Sequence, residues 1–172
     1  MMKEKTIYKV NRQLKGIFFN EGMEKTDYPW LVFKLGDFKY AVDTKHVIDV
    51  SLLGKITPIA DTCGCRPAIT QTRHGMIPLL DLRALFGLGS YTPVPLGMKD
   101  MRYMVIAVEI NDIRCGLIVD EVISVDYIAR PEERIRFKND AITWTQYVAQ
   151  VAWFYDQDEP VLVLEAESLR VA

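Results

Sequence analysis

At 172 residues, 49% hydrophobic and 26% charged, the chain has the composition of a folded domain and is long enough to bury a core without disulfide or metal staples. With 21 Lys and Arg against 23 Asp and Glu, its formal charge of −2 argues against a general nucleic-acid binder. Cys63, Cys65 and Cys115 make a poor disulfide framework, and neither a signal peptide nor an apolar run near the roughly 20 residues of a spanning helix is visible, so a cytoplasmic protein is expected.

The first 29 residues differ from the rest. Ile7, Val10, Leu14, Ile17 and Phe18 recur at helical spacing, with Lys5, Lys9, Arg12 and Lys15 between them. This predicts an amphipathic helix packed on its own domain, with a basic face open to an anionic surface as the alternative. Asn20 to Pro29 reads as a linker, and residues 1–29 are expected to be an extension that the following domain does not need in order to fold.

From Trp30 the period becomes two. Leu31, Phe33 and Leu35, the turn Gly36-Asp37, then Phe38, Tyr40 and Val42 predict a β-hairpin. Asp43 and Thr44 are placed to cap a short helix running to Val50. After a Gly- and Pro-punctuated stretch, Ala68 to Thr72 and Met76 to Leu80 read as strands around the turn Thr72-Arg73-His74-Gly75. Leu82 to Phe86 is a helical turn stopped by Gly87 and Gly89, and residues 87–100 make the best internal boundary.

Tyr103 to Ile110 and Ile113 to Val119 flank the turn Asn111-Asp112, and Val122 to Ile128 continues the β pattern. Arg130 to Asp140 is charged and irregular. Tyr147 to Tyr155 and Val161 to Leu164 predict a last hairpin, with a short closing helix near Glu167. Nine or ten short strands at this spacing predict a sandwich or barrel architecture, split by the Gly/Pro stretch into two comparable sets, roughly 30–90 and 101–165.

Motifs for catalysis are missing. His46 and His74 are the only histidines, and no nucleophile elbow accompanies them. Cys63-Gly64-Cys65 with Cys115 and His74 falls short of the paired spacing of structural zinc sites, and Gly87-Leu88-Gly89 lacks the lysine and frame of a phosphate loop. His74 reads as a solvated turn residue, and no catalytic residue, metal or cofactor is expected.

Three segments in order carry a resemblance: Leu31 to Val50, Arg73 to Gly87 with Ile77-Pro78-Leu79-Leu80-Asp81-Leu82-Arg83 and Phe86-Gly87, and Cys115-Gly116-Leu117-Ile118-Val119-Asp120-Glu121-Val122. Together they resemble the CheW-like coupling-domain family of bacterial chemotaxis, across roughly residues 30–165. The resemblance implies an all-β fold of two packed SH3-like five-stranded barrels within a domain of residues 30–172. It also implies a non-catalytic adaptor that bridges the cytoplasmic tip of chemoreceptors to the regulatory domain of the histidine kinase CheA at membrane-associated arrays, without nucleic acid and without inserting in the membrane. On the family pattern, Val47 and Asp49 stand on the short helix after the first hairpin, and Arg73 stands in the turn that faces the receptor. His74 occupies the family's glycine position, with Gly75 one place later, which moves the residue able to take positive φ. Asp81 is expected to cap the helical turn that follows it. The alternative function is a small-ligand-binding barrel protein with a pocket between the barrels.

Overall fold

The structure, a computed structural model, describes residues 2–17, 28–59, 68–89, 103–129, 135–136 and 147–169. Helix α1 (Met2–Lys15) has Glu4 in its first turn and Arg12 and Lys15 in its last, each sign set against the helix dipole that favours it. Strands β1 (Trp30–Leu35) and β2 (Phe38–Asp43) form the first hairpin. Its two-residue loop places only Gly36 at positive φ, 61°, the pattern of a type II′ turn. The helix expected through Val50 is only a 3₁₀ turn, Thr44–His46, capped by the Asp43 carboxylate on the Lys45 N–H. Strand β3 (Val47–Leu52) follows at once. Val47, Ile48 and Val50 are β-branched and pack best in an extended chain, so the helical signal of the cap does not propagate.

Strands β4 (Ile56–Pro58), β5 (Ala68–Thr72) and β6 (Gly75–Asp81) lead into the one-turn helix α2 (Leu82–Leu85). The Asp81 side chain caps α2 by accepting from Arg83 N at 3.1 Å and Ala84 N at 3.3 Å, as expected. Strands β7 (Met104–Ile110) and β8 (Ile113–Val119) form a second hairpin. Its Asn111-Asp112 loop has positive φ at both residues, 52° and 64°, as a type I′ turn requires. Strands β9 (Glu121–Asp126), β10 (Ile135–Arg136), β11 (Val148–Ala152) and β12 (Val161–Leu164) complete the fold, closed by a 3₁₀ turn at Ala166–Ser168.

The architecture is all-β in two six-stranded sheets, ordered β10-β11-β12-β2-β1-β9 and β3-β7-β8-β6-β5-β4. Each has one strand more than the five expected, because β4 and β10 arise in stretches that read as irregular. The sheets do not divide the chain at 87–100. The elements on either side of that stretch, β6 with α2 and β7, belong to the same sheet, and residues 90–102 lie outside the described ones. The first sheet instead takes β1 and β2 from the start of the domain and β9–β12 from its end. The early and late strands are joined by two parallel pairs, β12 on β2 and β6 on β8, and two antiparallel pairs, β1 on β9 and β3 on β7, none between sequence neighbours.

The largest core cluster belongs to both sheets. Leu31, Phe33 and Leu35 of β1 and Ile106 and Val108 of β7 meet in it, and smaller clusters fill the other face of each sheet around Trp30, Val32 and Phe154 and around Leu79, Val105 and Ile118. Helix α1 is part of the shared core. Val10 is 1% exposed within it, Ile7 and Leu14 pack against it, and the helix lies against β3 and β9, the terminal strands of the two sheets. The expected packing of the helix on its own domain holds, and the helix contributes a fully buried side chain to the main core.

Candidate functional site

Asp49 is the centre of the site. It sits in β3, 5% exposed, not on an exposed short helix as its capping context suggested. A carboxylate this deep needs partners to offset the lost hydration. Arg73 supplies them: Nε and Nη2 donate to Asp49 Oδ2 at 3.1 and 2.8 Å. His74 Nε2 lies 3.3 Å from the same oxygen. Both partners come from the β5–β6 turn, where Thr72 Oγ1 accepts from the His74 N–H at 3.1 Å and donates to the Gly75 carbonyl at 3.0 Å. Positive φ in that turn falls on Gly75, at 103°, so the displaced glycine carries the conformation and His74 is left to turn toward Asp49.

The structure therefore joins two of the three residues assigned to the receptor-facing surface. Asp49 and Arg73 form one ion pair, and Val47, half-buried, starts the same strand and packs against the shared core. The pair is asymmetric. Asp49 is enclosed while the Arg73 side chain is 64% exposed, so a cation fixed at one end by a buried acid stays on display at the surface. His74, read from sequence as a solvated turn residue, is a second partner of the acid. Asn11 was also missed. Its side-chain amide donates to the Val50 carbonyl and accepts from the Val50 N–H, both at 2.9 Å, on the edge of β3 that pairs with no strand among the described residues. The available signal was a polar residue between Val10 and Leu14, inside an otherwise apolar stripe.

Two hollows open here. A cleft of about 650 Å³ runs between α1 and β3, lined by Ile7, Tyr8, Val50 and Leu52 with Arg12, Lys15 and Arg73. A smaller one of about 210 Å³ lies over Asn11, Asp49 and His74. Away from the site, Arg83 Nη1 grips Asp120 at 2.9 and 3.1 Å while Asp120 Oδ2 accepts the Gly36 N–H at 2.8 Å, which ties α2, β8 and the first hairpin turn together.

A further cavity of about 290 Å³ is lined by Trp30, Asp43, Lys45, His46, Gln150 and Glu167. Its charged groups pair with one another, Lys45 with Asp43 at 3.8 Å and His46 with Glu167 at 3.3 Å, while the buried Trp30 Nε1 has no hydrogen-bond partner among the described residues. Burial raises the Glu167 carboxyl, but its own backbone N–H, a hydrogen bond with Glu165 and the charges of His46 and Lys45 outweigh burial and hold it below its ordinary range. Among the described residues no three His, Cys, Asp or Glu side chains are placed to share a metal ion. Cys115 is buried and in no disulfide among the described residues, and Cys63 and Cys65 lie outside those residues. Among those residues no helix is long and apolar enough to cross a membrane.

The family model of the CheW-like domain matches residues 29–171. The chemotaxis protein CheW of Klebsiella aerogenes is 26% identical over 113 residues, which are 66% of this chain and 63% of that protein. The matched stretch thus spans somewhat less than two thirds of that relative. The crystal structure of the scaffolding protein TtCheW from Thermoanaerobacter tengcongensis superposes with a TM-score of 0.65 at 28% identity, covering 80% of this chain and 88% of that one. With the family's domain matched over nearly the whole β region and its fold shared with a solved scaffolding protein, the chain belongs to the CheW-like domain family.

Proposed function

We propose that the protein is a non-catalytic adaptor that couples the cytoplasmic tip of chemoreceptors to the regulatory domain of a CheA-type histidine kinase, at receptor arrays on the cytoplasmic side of the membrane. The observation that carries the reading is the Asp49–Arg73 pair, a surface cation locked in place by a buried acid at the mouth of an open, largely apolar cleft. Such a surface suits docking of a helix. Apolar anchors supply most of the affinity of a helix in a groove, and a fixed guanidinium selects the register by its directed donors. In the 290 Å³ cavity Lys45 pairs with Asp43 and His46 with Glu167, which favours the helix-docking reading over the small-ligand alternative.

The test is co-sedimentation of the full chain with a chemoreceptor signalling-tip hairpin fragment and with a CheA regulatory domain, beside the Arg73→Lys variant. Lysine keeps the charge that Asp49 requires and loses the planar fork. Both partners are expected to bind the wild type, and Arg73→Lys is expected to weaken hairpin binding at an unchanged melting midpoint. A wild-type protein that binds neither partner overturns the adaptor reading.

A further inference from the structure

Helix α1 lies outside the stretch that matches the family's domain, which begins at residue 29, yet it is anchored in the core of that domain through Val10 and Asn11. Among the described residues, it is α1 that packs on β3 and β9, the terminal strands of the two sheets. With it, the β3 edge becomes one wall of a cleft and the outward side of α1 becomes the other. We propose that α1 is a built-in wall of the receptor-docking site, and that the cleft it creates selects a receptor helix whose apolar stripe is flanked by Asp and Glu. The inference rests on the adaptor reading and names the partner chemistry of the same site.

Three observations argue for this occupant. The lining extends along α1 from Glu4 to Lys15, about 16 Å at the rise of an α-helix, which matches roughly three turns of a docked helix. Tyr8, with the half-buried Ile7 and Leu52, supplies apolar surface along that length, and Tyr8 stands 71% exposed, a large aromatic side chain with little of its own domain against it. The charges are one-sided: Arg12, Lys15 and Arg73 face the cleft against the single acid Glu4, and Arg12, Lys15 and Glu4 are all exposed. Complementary charge at the rim of an interface steers encounter and suppresses wrong partners, so a helix with acidic flanks is favoured over one with basic flanks.

The experiment titrates the chemoreceptor signalling-tip hairpin and, separately, the CheA regulatory domain into the full-length wild type and the Arg12→Glu/Lys15→Glu double variant. Both altered side chains are exposed, so the fold is expected to survive, checked by the melting midpoint. Hairpin affinity is expected to fall tenfold or more in the double variant, with kinase-domain affinity within twofold of wild type. Should charge reversal lower the melting midpoint, Tyr8→Ala is read in its place, with an expected threefold or greater loss of hairpin affinity. A folded variant that binds the hairpin as tightly as wild type overturns the role of α1 and leaves the adaptor reading standing. A wild type that does not bind the hairpin overturns both.

Discussion

The two halves of the β domain, β1–β6 and β7–β12, follow the same path into opposite sheets. Each opens with a hairpin, continues with one strand laid beside the other half's hairpin, and ends in three strands whose last runs parallel to that same hairpin. The hairpins are thus exchanged, and β3 and β9 are equivalent terminal strands. Each carries a buried aspartate, Asp49 at 5% and Asp126 at 2% exposure. Their partners differ. Asp126 is met by backbone, accepting from Tyr127 N at 2.7 Å and Asp156 N at 2.9 Å, and the charge is sealed inside the fold. Asp49 is met by Arg73 and His74, side chains that reach in from the surface. Backbone amides make a buried carboxylate structural, whereas exposed side chains turn the same burial into a fixed feature of the outside. The first half carries the candidate site for that reason, and α1 adds its Asn11 to the same strand.

The largest test of the comparison is removal of residues 1–17. If the exposed feature depends on a core shared with α1, losing Val10 and the packing of Ile7 and Leu14 is expected to cost about 3–5 kcal/mol in chemical denaturation, counted at roughly 0.8 kcal/mol per buried methylene. A midpoint unchanged within error would return α1 to the status of a detachable extension.

Next in size is Arg73→Ala. It leaves Asp49 buried with His74 alone, and the expected loss is about 2–3 kcal/mol, below the full value for a broken buried pair because the arginine end is largely hydrated. A loss under about 0.5 kcal/mol, the ordinary range for a surface site, would mean that the two aspartates do not differ in the way described.

The smallest effects come from the hairpins themselves. Counted from their turns, Ala41 of β2 and Gly116 of β8 are equivalent, and each faces a parallel neighbour, Val163 and Leu79. A Cβ on Gly116 would lie 2.7 Å from Val105 Cγ1 and 2.9 Å from Leu79 Cδ2, so Gly116→Ala is expected to cost about 1–2 kcal/mol through overpacking. The reverse change, Ala41→Gly, is expected to cost only about 0.5–1 kcal/mol, through backbone entropy. Thermal melts of the two variants check this pair, and equal losses would remove the packing asymmetry between the halves.

Local features of this protein were written in local sequence. The Gly36-Asp37 and Asn111-Asp112 turns, the Asp81 cap, the β5–β6 turn and the stripe of α1 depend on residues within a few positions of one another, and each stands where its pattern placed it. The family pattern also named Asp49 and Arg73, 24 residues apart, and the structure pairs their side chains. Tertiary structure decided what alternation and turn chemistry leave open. Two hairpins of the same pattern fit either sheet, so nothing local announces that they are exchanged or that the strands flanking the Gly/Pro stretch share one sheet. The burial of Asp49 was equally hidden, because a cap-like Asp-Thr before Val-Ile-Asp-Val reads as helix or strand until β7 pairs with it. The same holds for α1: an amphipathic stripe requires something to cover it, and only the packing of α1 against both β3 and β9 determined that the cover is the core of this domain and that the helix's other side borders a cleft.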